Sequence, residues 1–167
     1  MGLSNEETVR EVIVKAIEDI GFKLGFSGQA NVHDYLLDHE VPGEEVNYLS
    51  ADVDGGRKEI RAWGVDVGGT DELFATNAVS LRQYEIRIVG YYGVGVKGSG
   101  IKLLRKHARL IRGALFELGT HLKHRVRRTL GASQLSVNVV RNIDAAVEGV
   151  LVGEMVITAE QETKDFD

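Results

Sequence analysis

The chain has 167 residues, a formal net charge of −5 and no cysteine. A single domain of this length buries enough apolar surface to fold without covalent staples. The lack of thiols excludes disulfides, zinc–thiolate sites and cysteine nucleophiles. The acidic balance, with a pI of about 5.6, argues against a molecule that binds polyanions over its whole surface.

No uncharged apolar run reaches the ~18 residues needed to cross a bilayer. Glu6, Glu7 and Arg10 stand where a signal peptide needs an apolar stretch, so the expectation is a soluble chain that is intracellular at synthesis and has no membrane partner. Ser4-Asn5-Glu6-Glu7 fits a capping box. Val9, Val12, Ile13, Ala16, Ile17 and Ile20 follow with helical spacing, which predicts a helix over 5–20 stopped by Gly21. Residues 30–37 read as a strand. Residues 38–57 read as a long acidic loop, in which Asp38, Glu40, Glu44, Glu45, Asp52 and Asp54 face only Arg57.

Residues 58–67 read as a strand ending at Gly68-Gly69, and 70–80 as a second loop. In 81–92, Tyr84, Ile86 and Ile88 alternate with Glu85 and Arg87. That pattern leaves one face wet and favours an antiparallel sheet. A second helix is expected from about 100 to 118, with Ile101, Leu104, Ala108, Ile111, Leu115 and Leu118 as its apolar stripe. The basic run is extended through His121–Arg128 as a continuation of this helix, against the helix-weakening Gly119. Residues 135–141 and 149–160 read as two strands rich in β-branched residues, and 161–167 as a frayed tail. The predicted order is α-β-β-β-α-β-β. This is an α+β fold with a mostly antiparallel sheet and both helices on one face, in one domain over 1–167.

Charge is distributed in blocks. Residues 1–96 carry a net −9, residues 97–128 a net +9 and residues 129–167 a net −5. Single-sign blocks of this length point to a partner surface. The basic candidates are Lys102, Arg105, Lys106, Arg109, Arg112, Arg125, Arg127 and Arg128; the acidic candidates are Glu40, Glu44, Glu45, Asp52 and Asp54.

Gly93-Val94-Gly95-Val96-Lys97-Gly98 matches GxGxxG between a strand and a helix, where a dinucleotide would set its pyrophosphate on the helix N-terminus. Its preceding strand alternates instead of being apolar on both faces, and the acid at the right distance, Glu117, falls inside a helix. Asp66-Val67-Gly68-Gly69-Thr70 looks like a phosphate motif of sugar kinases without the second domain that motif requires. Asp52-Val53-Asp54-Gly55 lacks the remaining ligands of a calcium loop. His121 and His124 sit among cations with no local acid. No serine occupies a GxSxG elbow. The residues therefore specify no catalytic, cofactor or metal site. A small nucleotide-binding domain or enzyme using the turn 93–98 stays open as one alternative. A nonspecific DNA-associated protein using a basic helix over 100–128 is another, although that stretch has Phe116 as its single aromatic.

Several segments in order resemble the tail terminator, or tail completion, proteins of long-tailed bacteriophages and prophages. They are the amphipathic N-terminal helix, Val32-His33-Asp34-Tyr35, the acidic loop, a strand containing Trp63, Tyr84–Tyr92 as a central strand, a long helix, and Gly149–Glu154 as a closing strand. The resemblance spans most of 5–160. It implies a non-enzymatic virion assembly protein with no cofactor. Such a protein forms a homo-oligomeric ring, generally hexameric, that caps the tail tube and joins it to the head. Its partners would be further copies of itself, the tail tube protein and a head–tail connector protein, with DNA only in transit through the bore. It would occupy the host cytoplasm during assembly and then the virion tail. The family has no fixed functional motif, so the resemblance assigns no individual residue.

Overall fold

A computed structural model describes residues 5–37, 45–75, 79–94, 99–118, 126–132, 136–140 and 149–164. The elements are α1 (Asn5–Asp19), β1 (Val32–His33), α2 (Glu45–Leu49), β2 (Ser50–Val53), β3 (Arg57–Ala75), β4 (Val79–Gly93), α3 (Ser99–Leu118), β5 (Val126–Ala132), β6 (Ser136–Val140) and β7 (Val150–Lys164). The fold is α+β, as the patterning predicts. The strands form one sheet ordered β1-β3-β4-β7-β5, with β2 also pairing β3 and β6 also pairing β7. Every pairing is antiparallel except β1 with β3.

The apolar stripes explain the layers. In α1, Val9, Ile13 and Ile17 are fully buried; in α3, Leu104, Ala108, Ile111 and Leu115 are buried. Both stripes pack on one sheet face made by Trp63, Val65 and Val67 of β3, Tyr84, Ile86 and Ile88 of β4, and Leu151, Met155 and Ile157 of β7. α1 lies over β1 and β3, and α3 lies towards β4, β7 and β5. A single 3-10 turn (Gly21–Leu24) follows α1 and closes at Gly25, whose φ of 82° suits glycine.

Among the described residues, the opposite face is covered at one end. There Leu36, Tyr48 and Leu49 pack on Ala62, Val89, Tyr91 and Val150. Farther along, Glu85 is exposed and Arg87 half-buried, so the wet face expected of β4 is present over that half of the strand.

The structure corrects several boundaries. The strand expected over 30–37 is only Val32–His33, because the backbone beyond it turns to bond side chains. The expected loop 38–57 contains α2 and β2, while residues 38–44 lie outside the described residues. The expected loop 70–80 is strand up to Ala75 and again from Val79, since β3 pairs β4 as far as Ala75 with Ser80. The basic helix does not extend over 100–128: α3 ends at Leu118, and Val126–Ala132 is β5, recruited by pairing to β7. Sheet context overrides local helix preference there. β7 runs on to Lys164 against β4, so most of the tail expected to fray is strand. Ser4 of the capping box lies outside the described residues.

Candidate functional site

Lys102, Arg105, Lys106 and Arg109 are exposed on α3. Their spacing of 0, 3, 4 and 7 aligns them in one stripe, turned away from the apolar stripe that anchors the helix. None is paired with a carboxylate among the described residues. Arg112 differs: it is half-buried and engaged within the fold, so it does not belong to the open stripe. Arg127 and Arg128 are on β5, a strand that packs near α3, and not on the helix itself, and Arg125 lies outside the described residues.

The acidic candidates also divide. Asp52 on β2 and Asp54 in the β2–β3 turn are both exposed. The turn is built by Gly55 and Gly56 at φ 91° and 73°, and the Gly56 amide donates to the Val53 carbonyl at 3.2 Å. The hairpin is tied down by main chain, with the Ser27 amide donating to Asp52 and the Asp54 amide donating to Gly25, each at 3.0 Å. That leaves both carboxylates outside the ties that hold the hairpin. Glu45 opens α2, and Glu40 and Glu44 lie outside the described residues.

Between these regions is a cavity of about 590 Å³, lined by the end of β4, the start of α3 and Arg57, Glu59 and Arg61 of β3. Gly93 of the GxGxxG segment lines it, and residues 95–98 of that segment lie outside the described residues. Its cations are already matched: Glu59 takes Arg61 at 3.1 Å and Arg57 at 3.5 Å. Arg61 is buried, and it also donates to the Leu24 carbonyl at 3.2 Å and lies 5.4 Å from the centre of the Tyr92 ring. An incoming phosphate would have to compete with Glu59 for both guanidinium groups, which weakens the nucleotide alternative.

Behind the cavity is a buried chain of hydrogen bonds that the sequence reading did not find. Trp63 Nε1 donates to Tyr92 Oη at 3.0 Å, and that hydroxyl lies 2.5 Å from His107 Nδ1. Indole nitrogen only donates, so the tyrosine proton is left for His107, which must accept as neutral imidazole. Burial, then the positive charges of Arg61 and Lys106, lower the His107 pKa to about 4. Burial raises the Tyr92 pKa in turn. A histidine whose Nδ1 is engaged and whose ring is 3% exposed pins α3 to the sheet and is badly placed to exchange protons with a substrate. The available signal was position: His107 falls on the apolar side of α3 between Leu104 and Ile111, and Arg61 shares its strand phase with Trp63 and Val65.

On the other face, His33 stacks on Tyr48 with ring centres 3.7 Å apart and bonds the Tyr48 carbonyl at 3.1 Å. Burial lowers its pKa. Among the described residues no group of three His, Asp or Glu converges as a metal site. No known family model matches the chain, and no curated protein matches its sequence.

Proposed function

We propose that this chain is a non-enzymatic assembly subunit that caps a bacteriophage tail tube as a ring and joins it to the head. The resemblance of the ordered segments supplies the family. The observation that carries the reading is an exposed basic stripe on α3, Lys102, Arg105, Lys106 and Arg109, that no carboxylate among the described residues pairs, on a chain whose net charge is −5. A basic patch on an acidic chain opposes two-fold pairing of the patch with itself and favours contact with a different surface, and head-to-tail contacts of that kind close into a ring when the rotation between subunits fits. Such patches set orientation and encounter rate more than affinity. The partners in this reading are further copies of the chain, the tail tube protein and a head–tail connector protein, and DNA crosses only the bore. The site of action is the host cytoplasm during assembly and the virion tail afterwards. No helix among the described residues is long and apolar enough to cross a membrane.

The test is to add the purified chain to phage tail tubes and to growing tube protein, and to image both by electron microscopy. The expected result is a ring of density at one tube end and an arrest of elongation. Bare ends and unchanged growth would overturn the reading. A thermal shift with ATP or NAD would favour the nucleotide alternative instead.

A further inference from the structure

We infer that a second copy of this chain adds its β5 edge, antiparallel, to the outer edge of β3, so that the sheet runs on from subunit to subunit. The inference rests on the ring reading and deepens it by naming the two strand edges that meet.

The open edges come first. β3 gives one edge to β4 from Arg61 to Ala75. Its other edge is taken by β2 over Arg57–Ile60 and by β1 at Trp63 and Gly64. From Val65 to Ala75 no strand among the described residues takes it. At the far side of the sheet, β5 pairs with β7 and with no other strand among the described residues. A bare strand edge is a row of main-chain donors and acceptors that a further strand satisfies.

Register comes second. Arg128 pairs with Glu160, Glu160 with Gln83, and Gln83 with Asp71; Ala132 leads in the same way through Ile157 and Ile86 to Val67. β5 is therefore level with the open stretch of β3. β6 is level with Arg61–Gly64 instead, where β1 already holds the edge. Direction agrees with height. Successive strands β3, β4, β7 and β5 alternate in direction, so β5 runs opposite to β3. Copies set side by side in one orientation bring β5 of one against β3 of the next, antiparallel and at the same height.

Charge selects this pairing over the two-fold ones. In the open stretch of β3 the charged residues are Asp66, Asp71 and Glu72; in β5 they are Arg127 and Arg128. Inside the subunit, acid already stands opposite base across the rungs, Glu72 against Arg82 and Arg128 against Glu160. Adding β3 to β5 continues that alternation, with Asp71 on the rung of Arg128. Pairing β3 with itself would set acid against acid, and pairing β5 with itself would set arginine against arginine. Carried round a closed ring, the junction leaves neither edge bare.

The experiment uses the absence of cysteine. Asp71→Cys and Arg128→Cys place thiols on one rung, and a short bis-maleimide reaches even a diagonal neighbour, roughly 7–8 Å away. Thermal melts confirm that each variant is folded. A mixture of D71C with R128C is expected to give a covalent dimer that neither variant gives alone, and D71C/R128C a ladder ending at the copy number of the ring. Amide exchange of the wild type at low and high protein concentration needs no substitution: alternate amides over 65–75 and 126–132 are expected to exchange about tenfold more slowly on assembly. A mixture without covalent dimer overturns the inference. So does cross-linking of either single variant with itself in place of the mixed product, or assembly that leaves exchange at both edges unchanged. A ring imaged at tube ends in any of those cases keeps the ring reading and removes this junction. A complete ladder with bare tube ends keeps the junction and removes the tail role.

Discussion

The two faces of the sheet are buried by different means. On the helix-bearing face, α1 and α3 lay regular apolar stripes on Trp63, Tyr84, Ile86 and Ile88, and burial itself does the holding. On the other face, a short irregular segment and the five-residue α2 cover one end, and they are held by polar tips. Tyr48 donates to the Tyr35 carbonyl at 2.7 Å, the Leu37 amide donates to Tyr91 at 3.2 Å, and the Asn31 amide group donates to the carbonyls of Tyr48 and Arg61 at 2.8 and 3.0 Å. The first kind of cover is sensitive above all to lost volume. The second depends in addition on its hydrogen-bonding atoms.

The largest effect is expected from Trp63→Ala. It empties the centre of the helix-bearing core and removes the donor to Tyr92, and it should cost about 3–5 kcal/mol. Urea unfolding would show a much lower midpoint with little change in slope. Survival of the midpoint would mean that the helices do not depend on this face.

Next is acid. His107 has a folded pKa of about 4 against an ordinary 6.5. Below about pH 6.5 the unfolded chain takes up a proton that the folded chain refuses, so stability falls as the pH drops towards 4, by on the order of 2–3 kcal/mol. His33 on the other face is lowered too and adds loss of the same sign. Urea midpoints from pH 7 to 4 should therefore decline, and His107→Gln should flatten the decline relative to the wild type. Parallel curves for the two proteins would remove His107 from the account.

Two glycines sharpen the same contrast. A Cβ on Gly90 would meet Trp63 at 2.7 Å and Leu104 at 2.8 Å, whereas a Cβ on Gly68, on the opposite face, would meet nothing within 4 Å. Gly90→Ala should cost about 1–3 kcal/mol. Gly68→Ala should stay within about 0.5 kcal/mol of the wild type. Equal effects would mean that the faces are packed alike. On the polar-tipped cover, Tyr48→Phe removes one hydrogen bond and should cost about 1 kcal/mol. Its signature is faster amide exchange over residues 34–37 before any global change.

The same contrast decided what could be read from the sequence. α1, α3 and the inward phase of β4 were legible because apolar side chains recur with the period of the element that buries them. The four cations of the open stripe were legible from the same periodicity. Arg112 was grouped with them, since spacing alone does not show that its side chain turns into the fold. Residues 30–37 read as a strand because their composition suits one, but Tyr48 and Tyr91 take up main-chain groups that a strand would have given to a neighbour. β2 was hidden among acids. β5 was hidden among arginines, since its reason to be a strand lies some thirty residues away in β7. The Trp63–Tyr92–His107 chain joins three elements, and a one-dimensional pattern shows only that His107 and Arg61 occupy inward positions.

The smallest effect lies on the second face beyond the end that Leu36, Tyr48 and Leu49 cover. Arg87 reaches Glu154 with two hydrogen bonds, Nε to Oε1 at 2.9 Å and Nη2 to Oε2 at 3.2 Å, and both side chains are more than a third exposed. The bond from Arg87 lowers the Glu154 pKa. A depressed carboxylate contributes stability above its unfolded pKa and loses it as the pH falls through the folded one, so this contribution fades below about pH 4.5, largely after the His107 loss has developed. Water and salt screen the pair, and Glu154→Gln should cost at most about 1 kcal/mol at low salt and less at high salt. A cost that stays constant across salt concentrations would mean that Glu154 is shielded from water, and that this end of the second face is covered in solution by something packed against it.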